Sequence, residues 1–196
     1  MKLIRRPWIW LSRFRKRHGY GVHSPFAFAF ITGVVGEQAP YYAYAPLARL
    51  HPWWVRWGRL YPMTCRRLLF RLANYAHPKT IATIGECPIE RAYMKQAVPS
   101  ARWAEAATEA AMKTIGSVAD FIFVTADRLT EAPAIATHMQ SSAMMVLEGI
   151  HSNPHALRLW RSLQADQHTG ITFDLYTYGV AFFDHARHKQ HYLVNF

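Results

Sequence analysis

From residue 79 onward, short apolar runs alternate with stretches of helical period. TIATI (80–84), ARWAEA (101–106), ADFIFVTA (119–126), AMMVLEG (143–149) and ITFDLYTYGVAFF (171–183) read as strands. Between them PIERAYMKQAV, TEAAMKTIG, TEAPAIATHMQ and NPHALRLWRSLQ space their apolar residues three and four apart, as helices do. Strands without polar interruption that alternate with helices predict a parallel sheet covered on both faces. The close of the chain breaks the pattern. Thr172–Phe183 and His191–Phe196 are separated by too short a stretch for a helical crossover, so an antiparallel hairpin is expected there.

Residues 1–78 have a different rhythm and are expected to form an N-terminal helical region ahead of an α/β domain over 79–196. Ser24 precedes Pro25, which needs no amide hydrogen in a first helical turn, so a helix should start there and run to about Ala39-Pro40. Over 64–79, TCRRLLFRLANYAHPK puts Leu68, Leu69, Leu72 and Tyr75 on one face and Arg66, Arg67 and Arg71 around the other. That pattern predicts an amphipathic helix ending before Pro78.

Charge sharpens this division. Residues 1–80 hold 14 Lys and Arg against one acid, a net +13; the remainder nets −2, giving the chain its +11. Five of the seven tryptophans fall in the same basic part. Residues 1–17 combine seven cations with Trp8, Trp10, Leu11 and Phe14, a mixture suited to an anionic membrane surface, with nucleic acid as the alternative. Docking of this segment on the protein through its tryptophans is the third use. No apolar run is long enough to span a bilayer, and arginines interrupt the start before a signal sequence could form. A cytoplasmic protein, peripheral at the membrane if the basic arm binds lipid, is the expectation. Cys65 and Cys87 cannot build a disulfide framework or a four-thiolate zinc site.

Several segments together resemble a known family. His18-Gly19-Tyr20-Gly21-Val22-His23-Ser24-Pro25-Phe26, the arginine-rich helix around Arg67–Leu72, Ile150-His151-Ser152 with Trp160, and Phe173-Asp174-Leu175-Tyr176 through Gly179-Val180-Ala181-Phe182-Phe183 resemble a bacterial "GVHSPF" group of class I S-adenosylmethionine-dependent methyltransferases. The resemblance implies a Rossmann-like sheet with a reversed final strand. After Glu105 only a short stretch precedes Asp120, where the family places a helix, a strand and another helix. One βα unit is therefore expected to be missing, leaving an order near 2-1-4-5-7-6 in the family's strand numbering.

The resemblance also implies where a cofactor would lie. Gly85 matches the glycine of the loop after the first strand, Glu105 the acid for the ribose hydroxyls, and Glu148 an acid at the tip of a later strand. The loop reads Gly85-Glu86-Cys87-Pro88: the family's second glycine is absent, and Pro88 offers no backbone donor. Weak or absent S-adenosylmethionine binding is expected. In ADFIFVTADR, which resembles a metal-dependent O-methyltransferase strand, the metal-binding acid is replaced by Thr125, and Gly149 stands where another ligand belongs. One carboxylate does not hold magnesium, so no metal site is expected.

Among other candidates, His151 stands at the mouth of the sheet and could act as a general base; capping or packing is the competing role. His185, His188 and His191 fall in a loop, where spacing by three does not converge side chains. Cys87, at a helix start, has no visible partner. Two functions follow: a methyltransferase with an altered pocket around Gly85, Glu105 and Glu148 acting on a small-molecule acceptor, or a non-catalytic Rossmann-like binding or scaffold protein.

Overall fold

A computed structural model describes residues 21–51, 61–104 and 109–196. The basic arm, residues 1–17, and Glu105 lie outside the described residues.

Ser24 caps the first described helix as expected. Its hydroxyl accepts from the Ala27 amide at 3.3 Å, and α1 (Pro25–Phe30) runs into a π-helical turn, Ile31–Val35. A short helix, α2 (Tyr44–Ala48), precedes the long α3 (Tyr61–Ala76). The sheet then builds from β1 (Thr80–Ile84), α4 (Pro88–Ala97), β2 (Arg102–Ala104), α5 (Glu109–Val118) and β3 (Phe121–Val124). α6 (Ala132–Ala136), β4 (Met144–Glu148) and α7 (Pro154–Ala165) complete its parallel part. The chain closes with β5 (Thr172–Asp174), β6 (Tyr178–Phe182) and β7 (His191–Leu193).

The strand order is β2-β1-β3-β4-β6-β5-β7. β1 pairs in parallel with β2 and β3, and β3 with β4, while β6 is inserted antiparallel between β4 and β5. A reversed strand placed between two parallel ones at the end of a Rossmann-like sheet is the class I methyltransferase arrangement that the sequence implied. Among the described residues between β2 and β3 there is one helix and no strand, so the shortened crossover is as expected.

Two details of the expectation are corrected. The sheet has seven strands, not six, because β7 adds to the edge opposite β2. The antiparallel hairpin joins β5 to β6, within the run read as one long strand, and β7 pairs in parallel with β5. The reason is a turn hidden in an apolar run. Asp174 Oδ1 accepts from the Tyr176 amide at 2.9 Å, and Tyr176 takes φ +70°, so the strand reverses at Leu175–Thr177. β7 does run opposite to β6, but it crosses over β5 to find its partner.

Every residue of β3 is buried, with Phe121 and Phe123 packing on one face and Ile122 and Val124 on the other. The first face is covered by α1, the π-helical turn and α3, through Phe30, Val34, Leu68 and Leu72. The second is covered by α5, α6 and α7, through Ile115, Ile135 and Trp160. Phe30 stands 4.5 Å from Phe173 and 5.2 Å from Phe182, centroid to centroid, and Phe26 meets Phe182 edge-on at 5.2 Å. The Trp160 ring lies so close over Gly179 that an added Cβ would come within 2.7 Å of it. The two segments that carry the family resemblance at the ends of the chain thus meet through Phe26 and Phe182, and that contact accounts for the aromatic residue at each of these positions.

α3 departs from a simple amphipathic reading. Tyr75 is 42% exposed, whereas Arg71 is 7% exposed. Arg71 Nε donates to the Val34 carbonyl at 2.7 Å and Nη2 to the Val35 carbonyl at 3.0 Å. These carbonyls end the π-helical turn, where a helix leaves acceptors without intrahelical partners. The arginine is drawn inward to supply donors.

Candidate functional site

Because β1, β3, β4 and β5 run in the same direction, their carboxyl ends share one edge of the sheet. That edge gathers Gly85 after β1, Thr125 after β3, Glu148 and His151 at and beyond the end of β4, and Asp174 at the end of β5. The order reverses between β1 and β3, which makes the space between their tips the place where open α/β sheets bind ligands.

At that point the tips of β1 and β3 touch. Thr125 donates its hydroxyl to the Ile84 carbonyl at 3.0 Å, and its amide donates to the same oxygen at 3.0 Å. Gly85 has φ +97°, and a Cβ there would lie 1.9 Å from Thr125 Oγ1 and 3.0 Å from Arg128 Cγ. Arg128 is in turn held by Glu131, Nε to Oε1 at 2.5 Å. The glycine that matches the family's cofactor loop is therefore required by the neighbouring strand tip, without any ligand.

In the next turn Cys87 is buried while Glu86 and Pro88 are exposed. Pro88 opens α4, and Cys87 before it is 4% exposed. Burial, with Glu90 adding to it, pushes the Cys87 thiol up to about 11, so it is a neutral thiol at physiological pH. The helix N-terminus does not make it a nucleophile. Glu90, in the first turn of α4, is buried and receives Arg66 Nε at 2.6 Å. Arg66 Nη1 also donates to His51 Nδ1 at 3.1 Å, which leaves His51 Nε2 to donate to the Tyr93 hydroxyl at 3.0 Å. This chain ties α3 to α4 beside the strand tips.

Glu148 is half-buried. Burial raises its carboxyl above the usual carboxylate range, with Glu90 adding repulsion; the Ala126 amide opposes both by donating to it. A desolvated carboxyl beside a second acid is suited to a proton or a cationic group.

His151 has a partner that the sequence reading missed. Its Nε2 lies 2.7 Å from Asp174 Oδ2, and its ring stacks on Tyr176 at 4.9 Å with 14° between planes. The turn that reverses the chain at Leu175–Thr177 thus also orients the histidine. A carboxylate so placed accepts from the ring N–H and fixes the tautomer and orientation of the imidazole. The available signal was an acid interrupting an otherwise apolar run at Phe173-Asp174-Leu175.

His185 and His188 are exposed, while His191 turns to Thr172, Nδ1 to Oγ1 at 2.8 Å. Among the described residues no group of three or more His, Cys, Asp or Glu converges as a metal site would require, and no helix is long and apolar enough to cross a membrane.

The sequence matches no family model and no curated protein. Solved structures with a related outline include the S-adenosylhomocysteine-bound methyltransferase PaMTH1 of Podospora anserina, at 12% identity and a TM-score of 0.48 over 82% of this chain and 96% of that one. Another is cofactor-bound Rv0187 from MTB, at 13% identity and a TM-score of 0.42 over 81% of this chain and 95% of that one. These scores leave the strand order as the ground for describing the sheet as methyltransferase-like.

Proposed function

We propose that this protein is a methyltransferase-fold binding module of the "GVHSPF" kind in which S-adenosylmethionine-dependent catalysis is lost or severely impaired. One observation carries the reading: Thr125 and Arg128 close on Gly85 at the point where the strand order reverses. A bound methionine and ribose need bare backbone there, and the loop instead meets two side chains, a proline and the buried Cys87. Glu90, committed to Arg66, stands in the first turn of α4. The module would meet its partner through the basic arm of residues 1–17, on an anionic membrane rather than on nucleic acid.

The His151–Asp174 pair favours a second reading, residual transfer of a methyl group to a small acceptor with His151 as base and Glu148 at the end of β4 on the same sheet edge. The two readings part in an assay of label transfer from methyl-labelled S-adenosylmethionine to a panel of small hydroxyl, thiol and amine acceptors. The binding-module reading expects no transfer above the protein-free control. Turnover that falls roughly 100-fold in both His151→Gln and Asp174→Asn, within the usual range for removing a general base, would establish the second reading.

A further inference from the structure

A cavity of about 410 Å3 lies between the π-helical turn, α2, α3 and the C-terminal segment, and shares no lining residue with the strand-tip cluster. Its volume is within the range of about 300–1,000 Å3 that small-molecule sites occupy. Ile31, Val194 and Phe196 give it apolar walls, and Tyr44 contributes an aromatic face. Arg67 and Arg71 line it too.

Neither guanidinium, the buried one of Arg71 or the half-buried one of Arg67, is met by a carboxylate at ion-pair distance among the described residues. Arg71 is buried, and its partners are two carbonyls and, at 3.5 Å, the Tyr44 hydroxyl; all are neutral. Arg67 stacks over the Tyr44 ring at 4.9 Å. Its Nε is buried without a hydrogen-bond partner, and among the described residues no Asp or Glu side chain forms an ion pair with either arginine. The acid that lines the cavity, Glu37, receives the Ala39 amide at 2.7 Å instead. Cations taken out of water are costly unless an anion or a full set of hydrogen bonds meets them.

We propose that this cavity binds a small organic carboxylate with an apolar body. The guanidinium fork matches a carboxylate's two oxygens. The aliphatic and aromatic walls suit a short hydrocarbon or aryl body and disfavour a strongly hydrated inorganic anion.

Calorimetric titration of the full chain with benzoate, its neutral counterpart benzyl alcohol, and inorganic phosphate tests this. Benzoate should bind, with benzyl alcohol and phosphate at least roughly tenfold weaker, the difference expected from losing a charge-assisted bond or the apolar contact. Arg67→Gln should weaken benzoate by roughly tenfold or more, and Arg67→Lys, which keeps the charge but not the fork, by an intermediate factor. Arg49→Gln, at an exposed arginine outside the cavity, should leave the titration unchanged. Absence of benzoate binding, equal binding of benzyl alcohol or phosphate, or equal losses in the Arg67→Gln and Arg49→Gln variants would each overturn the proposal.

Discussion

Gly85→Ala should destabilise the protein by roughly 2–6 kcal/mol, read from the shift of its urea unfolding transition. Two costs combine. A φ of +97° is open to glycine and strained for alanine, at roughly 1–3 kcal/mol. The new Cβ would also fall 1.9 Å from Thr125 Oγ1, an overpacking cost of about 1–3 kcal/mol. Thr125 cannot turn its hydroxyl away without giving up the bond to the Ile84 carbonyl. Thr125→Ala alone should cost about 1 kcal/mol for that bond. The double variant should be more stable than the sum of the singles implies, by about 1 kcal/mol, because the clash with the hydroxyl is gone. A Gly85→Ala variant as stable as the parent, or strict additivity in the cycle, would remove the packing explanation for this glycine and return it to a ligand.

Arg71→Met is expected to lower stability by about 2–4 kcal/mol. The thioether fills part of the same space but leaves the Val34 and Val35 carbonyls without donors, at about 1–3 kcal/mol for each buried group, partly offset because no cation is then buried. For a domain of this size the melting temperature should fall by roughly 4–15 °C. Arg71→Lys should not restore it, since one ammonium cannot reach two carbonyls with the geometry of a planar fork. Recovery with lysine would mean that the charge rather than the fork holds the π-helical turn, and a melting temperature unchanged in Arg71→Met would mean that neither does.

Arg71 also shows where reading from sequence stops. Its position on the polar side of α3 follows from period alone, and period says nothing of two carbonyls left over where an earlier helix ends. The alternation of TIATI, ADFIFVTA and AMMVLEG with helical segments was enough to place the parallel strands, because strands buried on both faces must be apolar throughout. The same logic failed at ITFDLYTYGVAFF. A turn made by Asp174 receiving the Tyr176 amide carries a charge at one residue only, so periodicity alone merges the hairpin into a single strand and gives β7 the wrong partner. His151 was visible as a residue at the mouth of the sheet. Asp174, which orients it, was not, because the two are brought together by strand order and not by spacing. Gly85 is legible as the glycine of a loop motif; that Thr125 and Arg128 crowd it is not, because they come from another strand tip.

The contact of Thr125 and Arg128 with Gly85 at the strand-reversal point is the centre of the functional reading, and calorimetric titration of the purified chain with S-adenosylmethionine and S-adenosylhomocysteine addresses it directly. The proposed loss of the cofactor site predicts no saturable binding in the micromolar range for either compound. Micromolar or tighter affinity that is lost on Glu105→Ala or Glu148→Ala would contradict it and make the protein a methyltransferase with an unusual pocket.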